Sequence, residues 1–268
     1  MTDARPSCAL TIAGSDSGGG AGIQADLKTF AAHGVHGLTA IAALTAQHTR
    51  GVTAVHAPPV AFLRAQIDAC FEDFRIGAVK LGMLANAEII RGVADSLERW
   101  RPPFVVLDPV MVASSGARLL EGTALDALRT RLLPLATVVT PNIPEAELLL
   151  GREIADGESA EAALSELLAL GAHAVLLKGG HLPGDAMVDR LAEGERRTRF
   201  LHSRLPVEGH GTGCTLASAV AANLVLGQSL ADACAAAADY VHGALANASR
   251  PGKGNVAVLD HYWSARRS

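Results

Sequence analysis

The chain has 268 residues, of which 49% are apolar, and a formal net charge of −4 at pH 7. This length suffices for a full hydrophobic core, and the weakly acidic balance offers no positive field, so we expect no nucleic-acid partner. No run of about 18 apolar residues predicts a membrane span, the N-terminus lacks a signal-peptide pattern and the four cysteines form no CxxC pair, so we expect a cytoplasmic protein with reduced thiols.

Short apolar runs alternate along the chain with longer segments of helical periodicity. The apolar runs predict buried strands at 7–13, 38–46, 77–81, 104–107, 136–140 and 173–177. The periodic segments predict helices at 22–33, 60–73, 86–99, 121–132, 144–150, 159–170, 213–226 and 229–247. Residues 185–205 are richer in charge and predict two antiparallel edge strands. This order predicts a single α/β domain over residues 1–268, with a mostly parallel sheet between helices and ligand sites beyond the carboxyl ends of its strands.

A glycine cluster, GSDSGGGAGIQAD at 14–26, follows the first predicted strand and opens the first predicted helix. It contains a loose GxGxxA match, but no acidic residue lies between Asp26 and Asp68 to bind a dinucleotide ribose. The GxxxxGK[ST] phosphate loop is also absent from the sequence. The cluster is therefore either a close backbone wrap around a small flat ligand or a plain surface loop.

Polar residues follow three further predicted strands. Gln47 ends one in LTAQHT, Asp108 ends another in VVLDPVMVASSG, and Asn142 and Glu145 follow a third in VVTPNIPEAELL. Each residue has a structural explanation, since Asp before Pro forms turns and Glu145 could complement a helix dipole. Taken together, Asp108, Asn142 and Glu145 form an oxygen set suited to Mg²⁺.

Two more residues favour phosphate chemistry. Lys178 in LLKGGH ends a buried strand beside two glycines, which lets its ammonium reach phosphate oxygens, although a solvated strand-end lysine is common. Cys214 in GHGTGCTLASA lies where a helix begins, so its pKa is expected to fall, although a buried structural cysteine is the alternative. The free N–H groups of such a helix end favour an anion.

Several motifs in one order now carry a resemblance that spans nearly the whole chain: GSDSGGGAGIQADLKT, ALTAQHT, VKLGM, LDPVM, TPNIPEAE, LLKGGH and HGTGCT. The chain resembles the hydroxymethylpyrimidine kinase / phosphomethylpyrimidine kinase family of thiamine biosynthesis. The resemblance implies a ribokinase-like three-layer αβα sandwich, ATP and Mg²⁺ as cofactors, and a homodimer. It also implies phosphorylation of 4-amino-5-hydroxymethyl-2-methylpyrimidine to its monophosphate and then to its diphosphate.

By the same resemblance, the site residues fall into groups. Cys214 and Lys178 are implied to be catalytic, and Gly211, Thr212 and Gly213 to form an anion hole. The remaining implied roles are substrate binding by Gly14, Asp26, Gln47, Met83 and Val110, nucleotide-phosphate binding by Lys178, Asn142 and Thr212, and metal binding by Asp108 and Glu145.

The sequence also departs from the family pattern. Gly209 and Ala217 stand where the family usually has Thr and Ser, and GKGNVAVLDHYW at 252–263 replaces its GxGHGPV segment. Among kinases, a pyridoxal or pyridoxine kinase is the alternative, because that ring also carries a hydroxymethyl group. Outside kinases, the alternatives are acyl transfer by a Cys214–His210 pair and a non-catalytic pyrimidine sensor. Acyl transfer is disfavoured because no third group to orient His210 is apparent in the sequence. A non-catalytic sensor is disfavoured because the implied phosphate and metal positions are all retained.

Overall fold

The structure is a computed structural model that describes residues 5–111 and 122–265. Six parallel strands occupy the centre of a nine-stranded sheet: β1 (Cys8–Asp16), β2 (His36–His48), β4 (Ile76–Leu81), β5 (Phe104–Leu107), β6 (Val138–Val139) and β7 (Ala174–Leu177). Antiparallel strands β3 (Gly51–His56), β8 (Ala186–Glu193) and β9 (Arg196–Ser203) complete the order β3-β2-β1-β4-β5-β6-β7-β8-β9. A separate two-stranded parallel pair joins β10 (Gly209–His210) to β11 (Ala257–Val258).

Helices cover both faces of the sheet because alternate strand residues point to opposite sides. Small residues such as Ala9, Ala78 and Ala174 face a core with α1 (Gly22–Ala32), α7 (Thr212–Val225) and α8 (Leu230–Ala246). Larger residues such as Leu10 and Val79 face the opposite core. That second layer comprises α2 (Val60–Asp73), α3 (Ala87–Trp100), α4 (Gly122–Ala127), α5 (Ile143–Leu150) and α6 (Gly157–Ala169). The predicted αβα sandwich with a mostly parallel sheet is confirmed.

Most sequence-predicted elements lie within a few residues of their observed positions. The segment predicted as one helix at 121–132 is instead α4, a π-helical turn at Leu128–Leu132 and a 3-10 turn at Leu133–Leu135, with residue 121 outside the described residues. The strand predicted at 136–140 shortens to β6. The prediction missed β3, β10 and β11. Within the described part of the chain, no helix is long and apolar enough to cross a membrane.

Candidate active site

A cavity of about 480 Å³ opens where the parallel strands end and α7 begins. Its position beyond the carboxyl ends of the strands is the usual one for a ligand site in a parallel α/β sheet. Twelve of the thirteen residues predicted for the site line it: Gly14, Gln47, Met83, Asp108, Val110, Asn142, Glu145, Lys178, Gly211, Thr212, Gly213 and Cys214. The fold thus brings together side chains separated by up to 200 positions in the sequence.

The N-terminus of α7 forms one wall of this cavity. Gly211, the residue before the helix, has φ of 85°, and a Cβ there would lie 2.0 Å from the carbonyl oxygen of Gly20, so only glycine fits. Among residues 5–111 and 122–265, no side chain caps the helix, and its first intrahelical bond runs from Thr215 N–H to the Gly211 carbonyl. The first-turn N–H groups of Thr212, Gly213 and Cys214 are therefore available to an anion.

Cys214 lies at the same helix end, but its acidity differs from the expectation. Burial raises the pKa of the thiol to about 11, although the nearby Lys80 ammonium and a backbone hydrogen bond from Gly22 oppose the rise. The expected lowering of the pKa by the helix end is wrong, because desolvation of the thiolate outweighs the helix dipole. At neutral pH the thiol is protonated.

Lys178 forms the centre of the charged side of the cavity. Its Nζ lies 2.9 Å from Asp108 Oδ1 and 3.7 Å from Glu145 Oε2. Burial alone would lower the pKa of Lys178, but the two carboxylates outweigh it and raise that pKa, so the ammonium stays charged. A Cβ on Gly213 would lie 3.0 Å from Lys178 Nζ, so the glycine lets this ammonium approach the first turn of α7.

Asn142 and Glu145 are fixed by the start of α5. The Asn142 side chain accepts a hydrogen bond from Glu145 N–H at 2.9 Å, and Glu145 Oε2 accepts one from Asn142 N–H at 2.8 Å. This reciprocal capping box orients both side chains. Burial raises the pKa of Glu145 to about 7, with Lys178 opposing and Asp108 reinforcing that rise. Glu145 therefore changes charge near neutral pH.

The metal-binding prediction concerns Asp108 and Glu145 alone. Among residues 5–111 and 122–265, no three His, Cys, Asp or Glu side chains cluster as a metal site would require. In the same ranges, no hydrogen bond reaches Asp108 Oδ2 or Glu145 Oε1. Two carboxylate oxygens thus face the cavity, a set that fits Mg²⁺ only when phosphates and water supply its other ligands.

Asp26 is the predicted site residue that does not line the cavity. Its carboxylate is fully buried below the cavity and forms an ion pair with the equally buried Lys80, 2.9 Å from each oxygen. Thr11 donates to Oδ2 at 2.6 Å and Ser218 donates to Oδ1 at 2.7 Å. All four bonds come from the protein, and Asp26 is not part of the cavity wall, so substrate binding by Asp26 stays a prediction.

Gln47 is held by a chain of polar contacts on the opposite wall. Its Oε1 accepts from Thr45 Oγ1 at 3.1 Å, and its Nε2 lies 3.0 Å from His210 Nε2. His210 Nε2 is also 3.1 Å from Asp16 Oδ2. Burial opposes ionisation of Asp16, but the bonds from His210, Ala21 and Gly18 outweigh it and hold its pKa below the usual value.

Sequence reasoning missed Asp16 as a site residue and gave His210 no role in a kinase. Asp16 accepts from the backbone N–H groups of Gly18, Gly20 and Ala21, so it shapes the glycine loop that borders the cavity. The available signal was an aspartate between a buried strand and four closely spaced glycines, which is the setting of a loop-organising carboxylate.

Comparisons with known proteins show the family of this chain. The sequence model described as phosphomethylpyrimidine kinase matches residues 16–259. The chain belongs to the phosphomethylpyrimidine kinase family. A hydroxymethylpyrimidine/phosphomethylpyrimidine kinase of Rhizobium meliloti is 50% identical over 261 residues, which cover 95% of this chain and 98% of the relative.

Solved structures extend the comparison to the fold. A phosphomethylpyrimidine kinase from Clostridium difficile is 42% identical, with a TM-score of 0.79 over 88% of this chain and 98% of that one. The pyridoxal kinase of Staphylococcus aureus, solved with AMP-PCP and pyridoxal, is 32% identical, with a TM-score of 0.89 over 97% of this chain and 95% of that one. Family membership makes this protein a kinase, whereas both kinds of ring substrate occur among its structural neighbours.

Proposed function

We propose that this kinase transfers the γ-phosphoryl group of ATP to 4-amino-5-hydroxymethyl-2-methylpyrimidine, and then transfers a second phosphoryl group to the resulting monophosphate. One observation carries the proposal: a single cavity holds an uncapped helix N-terminus, a charged lysine between two carboxylates, and the amide of Gln47. The first two features suit a transferring phosphoryl group, and an amide suits the edge of an aminopyrimidine.

The transition state of phosphoryl transfer is loose, so the protein acts mainly by positioning and by neutralising charge. The N–H groups of Thr212, Gly213 and Cys214 bind the transferring oxygens, and the Lys178 ammonium stabilises the charge that develops on them. Asn142 and Thr212 contribute to binding of the nucleotide phosphates. These residues would favour the transition state over the ground state only if their contacts tighten during transfer.

Cys214 accepts the hydroxymethyl proton in this proposal. The thiol first loses its proton to solvent. As the O–P bond then forms, the hydroxymethyl O–H bond breaks, its proton passes to the thiolate, and ADP leaves with the electron pair of the cleaved P–O bond. Because the pKa of the thiol is about 11, the thiolate is scarce at neutral pH and is a strong base once formed. A late proton transfer suits this chemistry, since the attacking oxygen becomes acidic only after it bonds to phosphorus.

Asp108 and Glu145 would hold Mg²⁺, directly or through water. When bound, the ion would neutralise charge on the nucleotide phosphates. Glu145 favours the ion only as a carboxylate, and its pKa of about 7 couples this role to pH.

Gly14, Gln47, Met83 and Val110 would form the wall that binds the pyrimidine ring. Gly14 presents backbone to the cavity, and a Cβ there would lie 3.4 Å from the Met83 sulfur, so the glycine leaves room beside that side chain. Gln47 supplies both a donor and an acceptor on this wall. Asp26 is fully buried in an ion pair with Lys80.

The substrate is tested by measuring ATP consumption with hydroxymethylpyrimidine, its monophosphate and pyridoxal side by side. The pyridoxal kinase structure keeps pyridoxal as the second candidate. We expect kcat/KM to be highest with the pyrimidines, and Gln47→Ala to raise the pyrimidine KM by about tenfold, as the loss of one or two hydrogen bonds predicts. A higher kcat/KM with pyridoxal, together with a Gln47→Ala enzyme unchanged on the pyrimidine, would assign the vitamin B6 substrate instead.

We also propose that the protein is a cytoplasmic homodimer. All four cysteines are free thiols, which suits a reducing compartment. Strand β3 is an edge strand of the sheet. Leu44 on β2, Val55 on β3 and Phe62 at the start of α2 expose 46, 46 and 62% of their surfaces. Apolar side chains beside an open edge are typical of an interface. Light scattering of wild type and Phe62→Glu tests this; two monomeric samples would contradict the dimer.

A further inference from the structure

The segment from Ser249 to Trp263, here called the C-terminal strap, crosses the cavity-facing end of α7. Its strand β11 pairs with β10, the strand that directly precedes Gly211. Next to this pairing, Ala257 N–H donates to the Glu208 carbonyl at 2.8 Å. Gly254 N–H donates to Thr49 Oγ1 at 3.0 Å, in the turn between β2 and β3. The strap thus connects two walls of the cavity, and it contains the sequence that departs from the family pattern.

His261 is the innermost polar side chain of the strap. The residue is 2% exposed, and its Nε2 lies 3.1 Å from Oγ1 of Thr215, 46 positions earlier in the chain. The Tyr240 hydroxyl on α8 donates to the His261 carbonyl at 2.6 Å, and Trp263 Nε1–H donates to the Tyr240 carbonyl at 3.2 Å. The ring is therefore held against the first turn of α7 by its neighbours as well as by its own bond.

Thr215 links this histidine to the anion hole. Its side chain is fully buried, and its Oγ1 donates to the Gly211 carbonyl at 2.9 Å, the same carbonyl that accepts from Thr215 N–H. A hydroxyl has one proton, and Thr215 Oγ1 uses it to donate to the Gly211 carbonyl. A second hydrogen bond between Oγ1 and the histidine ring therefore requires that Oγ1 accept from Nε2–H. Burial lowers the pKa of His261 to about 4 against a backbone hydrogen bond to Leu259, so the ring is neutral. Its single proton lies on Nε2 in the tautomer that lets Thr215 Oγ1 keep its bond to Gly211.

We propose that His261 is a positioning residue that fixes the first turn of α7 through Thr215. It thereby aims the anion-hole N–H groups at the transferring phosphoryl group and Cys214 at the hydroxymethyl group of the substrate. The inference rests on the proposed function for its catalytic consequence. Its structural basis is independent of the substrate: His261, Thr215 and Gly211 form one continuous chain of hydrogen bonds that closes the turn containing Thr212, Gly213 and Cys214.

The test compares His261→Leu, which removes the ring donor, with His261→Gln, whose amide can replace it. In His261→Leu we expect kcat to fall about tenfold or more, because small misplacements of catalytic groups carry large losses, while the pyrimidine KM stays within about twofold. His261→Gln is expected to recover most of kcat. His173→Leu, an exposed histidine before β7, is the matched control and is expected to keep wild-type kcat.

Thr215→Val and Thr215→Ser test the same contact from the other side. Valine removes the hydroxyl at equal size, so Thr215→Val is expected to reproduce the kcat loss of His261→Leu. The double variant Thr215→Val/His261→Leu is expected to lose no more kcat than either single variant. Serine keeps the hydroxyl and is expected to keep most of kcat. Additive losses in the double variant would overturn the proposal, as would equal kcat in the valine and serine variants.

A second readout does not depend on the substrate. Amide hydrogen exchange across 212–215 is expected to be faster in His261→Leu than in wild type, and near wild type in His261→Gln. If wild type phosphorylates no pyrimidine but this exchange pattern appears, the proposed function fails and the positioning role stands. If wild type is active but exchange is equal in all variants, or His261→Leu keeps full kcat, the positioning role is wrong. Should His261→Leu fail to fold, the Thr215 pair gives the same decision.

Discussion

The buried Asp26–Lys80 ion pair gives the sharpest test of how this site is supported. Asp26→Asn keeps the shape of the side chain but replaces one carboxylate oxygen with an amide nitrogen. The carboxylate accepts four bonds, two from Lys80 and one each from Thr11 and Ser218. The asparagine oxygen can accept only two of these four bonds, so the amide nitrogen faces the donors of the other two. The buried Lys80 ammonium then loses its ion-pair partner.

Breaking a buried ion pair on one side costs about 3–5 kcal/mol, a large part of the roughly 5–15 kcal/mol that stabilises a typical domain. For a chain of this size the loss corresponds to a fall in Tm of roughly 6–20 °C. Urea denaturation measures the free energy of unfolding, and the pyrimidine KM is measured below the new Tm. We expect the KM to change by less than about threefold, since Asp26 makes no contact with the cavity.

The double variant Asp26→Leu/Lys80→Met is the matched control, because it removes both charges at similar volume and is expected to recover much of the lost stability. The reasoning is refuted if Asp26→Asn costs less than about 1 kcal/mol of the free energy of unfolding, below the range for breaking a buried ion pair. A tenfold rise in the pyrimidine KM at unchanged stability would make Asp26 a ligand contact after all.

Three further predictions concern the cavity itself. With a pKa of about 11, Cys214 is expected to react with iodoacetamide at pH 7 roughly 10² to 10³ times more slowly than a free cysteine, and its reaction is expected to speed up about tenfold per pH unit. Peptide mass spectrometry that finds free-cysteine reactivity would contradict the raised pKa of this thiol. Because Glu145 ionises around pH 7, the Mg²⁺ concentration for half-maximal activity is expected to decrease in wild type as the pH rises from 6 to 8. In Glu145→Gln that concentration is expected to be higher and nearly independent of pH. Mg²⁺ titrations that coincide for the two enzymes would exclude Glu145 from metal binding. Lys178→Met is expected to lower kcat by about 10² or more while urea denaturation shows a folded protein, and a loss confined to the KM for ATP would indicate ground-state binding only.

Local patterns in the sequence were sufficient to predict the parallel strands of the sheet and most of the cavity wall. Buried parallel strands appear as continuous apolar runs, and their polar end residues must meet at one edge, so Gln47, Asp108, Asn142 and Lys178 could be placed together from the sequence. Strand β3 was missed because it lies at the edge and most of its residues are exposed, which leaves no apolar run. Strands β10 and β11 have two residues each, too few for any periodicity.

The roles of charged groups were harder to predict because they depend on burial. The helix position of Cys214 suggested a low pKa, but the sequence does not show how much water its thiol loses on folding. Asp26 matched a family position, yet its partners Thr11, Lys80 and Ser218 lie 15, 54 and 192 positions away, and nothing local connects them. The contact between His261 and Thr215 was inaccessible for the same reason.

Helix α7 is enclosed by the sheet, α1 and α8, and ten of its fourteen residues are buried. A helix packed in this way cannot shift along its axis without disrupting the core. In the proposed two-step reaction, the attacking oxygen belongs first to a hydroxymethyl group and then to a phosphate, yet both must arrive at the same point in front of Cys214. The pyrimidine ring of the monophosphate must therefore bind farther from Cys214 than the ring of the alcohol, by the length of one phosphoryl group. Gln47 cannot make identical contacts with both acceptors, so its substitution should affect the two rounds unequally.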